Sequence, residues 1–284
     1  MLDASSALDV DDRGARSYFT TSDGRRLHFV DHGGEVPVLL IQGLSLAAAH
    51  WFDLPRRLQA RPARWRPITL DNRGTGHSDP VERPFDLGRL ADDCAELLDA
   101  LEVPHARVVG LSMGGMVAQH LALRHPRRVS SLVLVATTAC IRSRPWPRRE
   151  GVKTILDGVV RRPSSLDPLA RLLLGPAHIE DAARILAPFA ALARRGPLTP
   201  RGTILAQLAA VGRHDVRRRL HRIECPVTVL AGAADQLVPV EHARALATRV
   251  SGAELRVLSG VGHGLPWSVP DAIPDALRAH APLY

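Results

Sequence analysis

The 284-residue sequence is short of lysine, cysteine and aromatic side chains, and each shortage narrows what the chain does. Lys153 is the only lysine, so a net charge of +8 is carried almost wholly by arginine. Such an excess suits an anionic partner, but an aromatic content of 4% offers few platforms on which bases stack, so nucleic acid is not an expected ligand. A compositional bias toward Arg, Ala, Pro and Gly at the expense of Lys accounts for the same charge without any partner. Cys94, Cys140 and Cys225 are an odd, widely spaced set without a C-x-x-C pair, which argues against both a disulfide framework and a zinc site. No apolar run approaches the roughly 20 residues that cross a bilayer. Met1-Leu2-Asp3-Ala4 lacks the basic start and apolar run of a secretory signal. The expectation is a protein without membrane association, in the cytoplasm.

What is present reads as globular. With 45% hydrophobic and 23% charged residues and a mean hydropathy of −0.02, the chain lies outside the composition of disordered sequences. Its length suits one α/β domain with an insertion. Residues 1–15 are polar and aperiodic and read as a loose arm. Tyr18 to Thr20 and Arg26 to Val30 flank Ser22-Asp23-Gly24, a turn signal between two hairpin strands. Nearly continuous apolar runs follow at Val36 to Ile41, Pro67 to Leu70, Arg107 to Leu111, Ser131 to Ala136, Val227 to Ala231 and Leu255 to Leu258. Runs of this kind suit strands covered on both faces. Between them apolar residues recur at three and four, as at Leu87, Leu90, Cys94, Leu97, Leu98 and Leu101, the spacing of helices laid on a sheet. Alternation of the two predicts an α/β fold with a mostly parallel central sheet and helices on both faces.

The alternation breaks once. Residues 141–223 carry helical patterns with no strand between them, punctuated by Pro163, Pro176, Pro188 and Pro197. They read as a helical lid inserted into a core formed by residues 16–140 and 224–284. The run Arg217-Arg218-Arg219 reads as a solvated face.

The decisive segment is Gly110-Leu111-Ser112-Met113-Gly114, which matches G-x-S-x-G. Composition alone supplies about 0.1 such pentapeptides in a chain of this length, so its weight comes from context. A strand-like run precedes it and a helical run follows, the setting in which a serine is held on a tight turn at a helix N-terminus. Free N–H groups there point at developing negative charge. Other segments agree. Asp71-Asn72-Arg73-Gly74-Thr75-Gly76-His77-Ser78 is similar to a D-x-R-G-x-G-x-S turn, Asp235 follows the strand Val227 to Ala231, and His263 lies in a Gly-flanked loop after the last apolar run.

On these segments the chain resembles the α/β-hydrolase family from about Tyr18 to its carboxyl end. The resemblance implies an α/β-hydrolase fold with Ser112 as nucleophile, His263 as its base and Asp235 as the acid orienting the imidazole, in the chain order of that fold. The family's alternative acid position, one strand earlier, here reads Ala136-Thr137-Thr138 without a carboxylate. His50, His77, His105, His120 and His125 read as surface or turn residues. The resemblance also implies an oxyanion hole from the backbone N–H groups of Leu44 and Met113. Many relatives carry His-Gly before Leu44, whereas this chain has Gln42-Gly43; Gln42, Gly43 and Ser45 are further candidates for substrate contact.

The reaction so implied is hydrolysis of a carboxylic ester or lactone with an apolar part, through an acyl-enzyme on Ser112, needing neither cofactor nor metal. Alternatives are a thioesterase acting on carrier-bound acyl groups, for which Arg142, Arg144, Arg148, Arg149, Arg161 and Arg162 would meet an acidic carrier protein, and a carbon–carbon bond hydrolase or cofactor-free perhydrolase. A non-catalytic receptor or cyclisation scaffold is the reading from another class. A serine at the elbow argues against carboxylate-nucleophile branches.

Overall fold

Nine strands form one sheet in the order β1-β2-β3-β5-β4-β6-β7-β8-β9. They are β1 (Leu8–Val10), β2 (Ser17–Thr20), β3 (Arg26–Asp31), β4 (Val36–Ile41), β5 (Trp65–Leu70), β6 (Ala106–Leu111), β7 (Val129–Val135), β8 (Val227–Gly232) and β9 (Glu254–Leu258). The computed structural model describes residues 8–10, 17–60, 64–81, 83–154, 167–195 and 197–280. β1, β2, β3 and β5 pair antiparallel in sequence, and every pairing from β5 onward is parallel. The hairpin read from Asp23-Gly24 is the β2–β3 pair, with Thr20 opposite Arg26. Leu8–Val10, expected within a loose arm, instead pairs as an edge strand with Ser17–Phe19; the rest of that arm lies outside the described residues.

The apolar runs are continuous because each central strand feeds two cores. Leu39, Ile41, Val108, Leu132 and Leu134 face one side, where α2 (Leu87–Ala100) and α3 (Met113–Arg124) cover them with Leu90, Cys94, Leu97, Val117 and Leu121. Val38, Leu40, Val109, Leu111, Val133 and Val135 face the other, under Leu54 and Leu58 of α1 (Leu54–Gln59) and Trp51 and Trp65. An alternating strand would have left one of these faces wet. At the start of α2 the Asp86 carboxylate accepts from Arg89 N at 2.9 Å, satisfying one orphan donor of the first turn.

Between β7 and β8 run α4 (Asp167–Leu174), α5 (Ala182–Arg195) and α6 (Arg201–Arg213); α7 (Val240–Ala247), α8 (Leu265–Ser268) and α9 (Ala272–Ala279) follow β8 and β9. Pro188, expected as a break, sits inside α5. The helix carries it on an exposed face while Ile185 and Leu186 bury against Ala170, Leu173 and Leu174 of α4. Ala206, Ala210 and Val211 attach α6 to the main core. The segments around Ile155, Val159, Arg161, Arg162 and Pro163 lie outside the described residues. Among the described residues no helix is long and apolar enough to cross a membrane, and Cys94, Cys140 and Cys225 are free thiols.

The Asp71–Ser78 turn ties these layers together. Asp71 accepts from His28 Nδ1 at 2.8 Å, from Ala48 N at 2.6 Å and from His77 N at 2.9 Å, so one buried carboxylate joins β3, the loop after β4 and its own turn. Arg73 donates to Asp93 of α2 at 2.6 Å and to Asp23 at 2.7 Å. Asp93 is shared with Arg89, at 2.7 Å, which leaves no buried charge in this network unpaired. Burial pushes the Asp93 carboxyl up, and its two arginines oppose that shift.

Candidate active site

Ser112 joins β6 to α3 in a backbone conformation that side chains seldom adopt, φ 55° and ψ −116°. Such a residue stores about 1–3 kcal/mol of strain and persists only where its surroundings over-determine it. They do so here. Ser112 N donates to Val135 O at 2.8 Å, and Thr137 Oγ1 donates to Ser112 O at 2.7 Å, fastening the turn to β7 and the loop after it. The two motif glycines are required by space. A Cβ on Gly114 would fall well inside 3.0 Å of the Ile41 carbonyl, and one on Gly110 would do the same against Gly114 itself.

The parallel sheet delivers the two other residues to the same edge. Asp235 follows β8 and His263 follows β9. His263 Nε2 lies 3.0 Å from Ser112 Oγ, and His263 Nδ1 lies 2.8 Å from Asp235 Oδ2. Asp235 and His263 are 6% and 7% exposed, so their contact is shielded from water. The other carboxylate oxygen, Oδ1, accepts from Leu237 N at 2.8 Å and Val238 N at 2.9 Å, which fixes the plane of the group. A carboxylate accepts only, so Nδ1 carries the imidazole proton and the Nε2 lone pair faces the hydroxyl. The three residues that the sequence singles out are thus in hydrogen-bonding contact, across a separation of 151 positions between serine and histidine. Of the other histidines, His120 contacts His214 at 3.2 Å, His125 contacts Asp92 at 2.7 Å, and His50 Nδ1 contacts the Ala47 backbone.

Gly43 lies against the elbow: a Cβ there would be 3.3 Å from Ser112 Cβ and 3.9 Å from Ser112 Oγ. Leu46 N donates to Gly43 O at 3.3 Å, closing a four-residue turn with Leu44 and Ser45 at its centre. Met113 opens α3, where first-turn N–H groups have no intrahelical acceptor. Gln42 is fully buried; its Oε1 accepts from Gly43 N at 3.2 Å and its backbone carbonyl accepts from Asn72 Nδ2 at 3.3 Å. Gln42 thus packs behind the turn rather than projecting into open space. A cleft of about 310 Å³ lined by His28, His50, Phe52 and Leu192 does not include Ser112 in its wall.

Two sets of contacts at the site have no signal in the local sequence. Gln207 Oε1, on α6, accepts from Ser45 N at 2.8 Å, and Thr199 Oγ1 donates to Ser45 O at 2.8 Å. At the other loop, Leu172 O, Leu173 O and Leu174 O of α4 accept from His263 N, Gly264 N and Gly262 N at 3.1, 2.6 and 3.1 Å. The segment between β7 and β8 therefore holds the backbone on both sides of Ser112. Among the described residues, no three His, Cys, Asp or Glu side chains converge as a metal site.

Residues 36–152 match the family model of the alpha/beta hydrolase fold. A Caulobacter vibrioides protein, named by inference as the carbamate hydrolase RutD, is 33% identical over 269 residues, covering 90% of this chain and 95% of its own. The chain belongs to the α/β-hydrolase family. A pimeloyl-[acyl-carrier protein] methyl ester esterase of Chromobacterium violaceum is 33% identical over 247 residues, with 83% of this chain and 90% of the relative covered. Among solved structures, a hydrolase from Pseudomonas aeruginosa superposes with a TM-score of 0.77 at 31% identity, over 95% of this chain and 99% of the other. This α/β-hydrolase is accordingly a hydrolase, and β1 is the edge strand of its sheet.

Proposed function

We propose that this α/β-hydrolase cleaves a carboxylic ester or lactone through an acyl-enzyme on Ser112, with His263 as general base and Asp235 as the acid that orients it. The contact of His263 Nε2 with Ser112 Oγ at 3.0 Å carries this reading. A serine hydroxyl is a weak nucleophile until a neutral base within hydrogen-bond reach accepts its proton, and an imidazole whose Nδ1–H is held by a buried carboxylate is such a base. In the first half-reaction Ser112 Oγ attacks the carbonyl carbon, its proton passes to His263 Nε2, and the oxyanion is met by the N–H groups of Leu44 and Met113. The imidazolium then returns the proton to the departing alcohol. Water deacylates Ser112 by the same route, with His263 again taking the proton.

Residues 141–223 serve in this reading as a lid over the acyl pocket, supported by the hydrogen bonds from the α4 carbonyls and the α6 side chain of Gln207 to the two catalytic loops. Arg142, Arg144, Arg148 and Arg149 are exposed on its first stretch, and a relative's name refers to a carrier-bound methyl ester, so a carrier-linked ester belongs in the test. The experiment is labelling by a fluorophosphonate followed by a panel of p-nitrophenyl esters, an aliphatic lactone, a methyl ester of an acyl chain on an acidic carrier, an aryl carbamate, an acyl thioester free and on that carrier, and a β-diketone. Labelling lost in Ser112→Ala, with turnover of esters or lactones above the rest, is the expected result. Preference for the carbamate, the thioester or the β-diketone overturns the substrate class while leaving the triad; absence of labelling overturns the nucleophile.

A further inference from the structure

The turn Gly43 to Leu46 is built against its own sequence. A four-residue turn with positive φ at its third position calls for glycine or asparagine there. This chain places Ser45 in that position at φ 62°. Glycine would hold the conformation at no steric cost; serine needs outside support.

That support comes from the segment between β7 and β8, and it engages both polar backbone atoms of the residue. Gln207 Oε1 accepts from Ser45 N, and Thr199 Oγ1 donates to Ser45 O, each at 2.8 Å. Gln207 is fully buried and its Nε2 has no hydrogen-bond partner. The side chain is therefore held at a cost for the sake of its carbonyl oxygen. One turn earlier on α6, buried Thr203 packs directly over Gly74, where a Cβ would meet the threonine Oγ1 and Cγ2. This contact seats α6 against the Asp71–Ser78 turn. The Leu44–Ser45 peptide plane is the one that flips between turn types, and Gln207 binds its N–H. That bond fixes the direction in which the chain leaves Leu44, the residue whose N–H faces the carbonyl oxygen in the mechanism above.

We infer that Gln207, with Thr199, is a positioning residue for the oxyanion hole: α6 completes the catalytic apparatus by locking Ser45, in addition to covering the substrate. The inference rests on the reading of Ser112 and Leu44 given under the proposed function. If α6 were a cover only, its loss would weaken substrate binding and leave the chemical step intact. If it sets the Leu44 amide, its loss acts on the transition state, where the oxyanion exists, and spares the ground state.

The test uses the full chain, p-nitrophenyl butyrate as substrate and an alkyl trifluoromethyl ketone as inhibitor, whose hemiketal oxyanion occupies the hole. Gln207→Met removes the acceptor and keeps the volume. It is expected to lower kcat by about 10-fold or more, a fraction of the 10²–10³ lost when an oxyanion donor itself is removed. KM stays within about 2-fold and ketone affinity falls in parallel with kcat/KM. Thr199→Val is expected to show the same pattern more weakly and Thr199→Ser to restore it, which gives a second reading if Gln207→Met does not fold. The double variant is expected to lose less than the product of the single losses, because both act on one residue. An increase in KM with kcat and ketone affinity retained, or no change in the Thr199 variants, overturns the inference. Ser112→Ala run alongside separates the two readings: turnover surviving there removes the nucleophile, whereas a dead Ser112→Ala beside normal Gln207 and Thr199 variants removes only the clamp.

Discussion

His28 Nδ1 lies 2.8 Å from Asp71 Oδ2, the same separation as between His263 and Asp235. A hydroxyl is also at hand, since Ser78 Oγ accepts from His28 N at 2.9 Å. The resemblance to a second triad ends there. Ser78 donates its proton to the Asp71 carbonyl at 2.6 Å, and the Asp71 carboxylate is occupied by the Ala48 and His77 amides as well as by the imidazole. An acid–imidazole pair activates a serine only when the far ring nitrogen meets a hydroxyl whose proton is free to leave.

The His28–Asp71 pair is therefore expected to act on stability. His28→Ala removes one of three donors from a carboxylate that is 2% exposed, at a cost of about 1–3 kcal/mol. Urea unfolding measures that loss. Fluorophosphonate labelling of Ser112 is expected to proceed within about threefold of the wild-type rate. Labelling that collapses while stability holds contradicts the assignment.

Removal of the proposed nucleophile or base has the opposite signature. Ser112→Ala and His263→Ala are expected to lower kcat by about 10⁴ to 10⁶, non-additively when combined, because the two act as a unit. Asp235→Asn is expected to cost about 10⁴, since an amide presenting its N–H₂ to Nδ1 selects the wrong tautomer. Thermal unfolding of Ser112→Ala should fall within a few degrees of wild type or above it, as the substitution removes one hydroxyl and leaves the backbone turn and its bonds in place. Steady-state kinetics on a p-nitrophenyl ester decides this, and Asp235→Asn at full rate would move the acid elsewhere.

Some glycines in this chain are fixed by lack of space, and others only cost entropy. A Cβ at Gly114 meets the backbone of β4, and one at Gly115 comes within 2.7 Å of the Thr137 side chain. Gly114→Ala is expected to destabilise by about 3 kcal/mol or more, because backbone rather than a flexible side chain is in the way. Gly202, in the first turn of α6, has open space where a Cβ would project, with nothing within 4 Å. Gly202→Ala is expected to stabilise by about 0.5–1 kcal/mol through helix propensity. Chemical denaturation of the two variants should give opposite signs, and two losses of equal size would contradict this account.

The parts of the fold that are legible in the sequence are those in which one residue type has one physical reason. Val108, Val109, Leu132 and Val133 form unbroken apolar runs because each strand is buried on both faces. Gly110 and Gly114 flank Ser112 because the turn leaves no room for a Cβ. Asp235 and His263 are reached by following strands to their carboxyl ends. What the sequence hides depends on contacts with no local trace. Ser45 and Gln207 are 162 positions apart, and glutamine in an amphipathic helix has many uses. The α4 carbonyls that hold the His263 loop carry no side-chain signature at all. Pro188 reads as a helix end, yet α5 continues through it on packing from Ile185 and Leu186. Leu8–Val10 shows no alternation long enough to announce a strand, and its pairing with β2 follows from the open sheet edge alone.

Acid lability offers a test of a site remote from the chemistry. His120 Nε2 and His214 Nδ1 are 3.2 Å apart, and His214 Nε2 donates to Thr138 O at 3.1 Å, so His214 Nδ1 must accept and His120 must donate. His214 cannot take a second proton at Nδ1 without losing this bond. Burial, with Arg219 and the companion ring or Arg124 adding positive charge, holds His120 down to about 4 and His214 down to about 3; Asp86, Asp92 and Asp215 oppose the shift. In the unfolded chain both titrate near 6.5. Above that value both states are neutral and the stability is undiminished. As pH falls from about 6.5 toward 4, the unfolded state binds protons that the native state refuses, so each such histidine removes up to about 1.4 kcal/mol per pH unit. His32, His50 and His280, also lowered chiefly by burial, add to the same slope. A single-site comparison is therefore needed. His120→Gln keeps a donor for His214 and removes one titrating ring. Urea midpoints between pH 7 and 5 should fall less steeply in that variant by the equivalent of one proton, and parallel slopes for the two proteins would show that His120 does not titrate on unfolding.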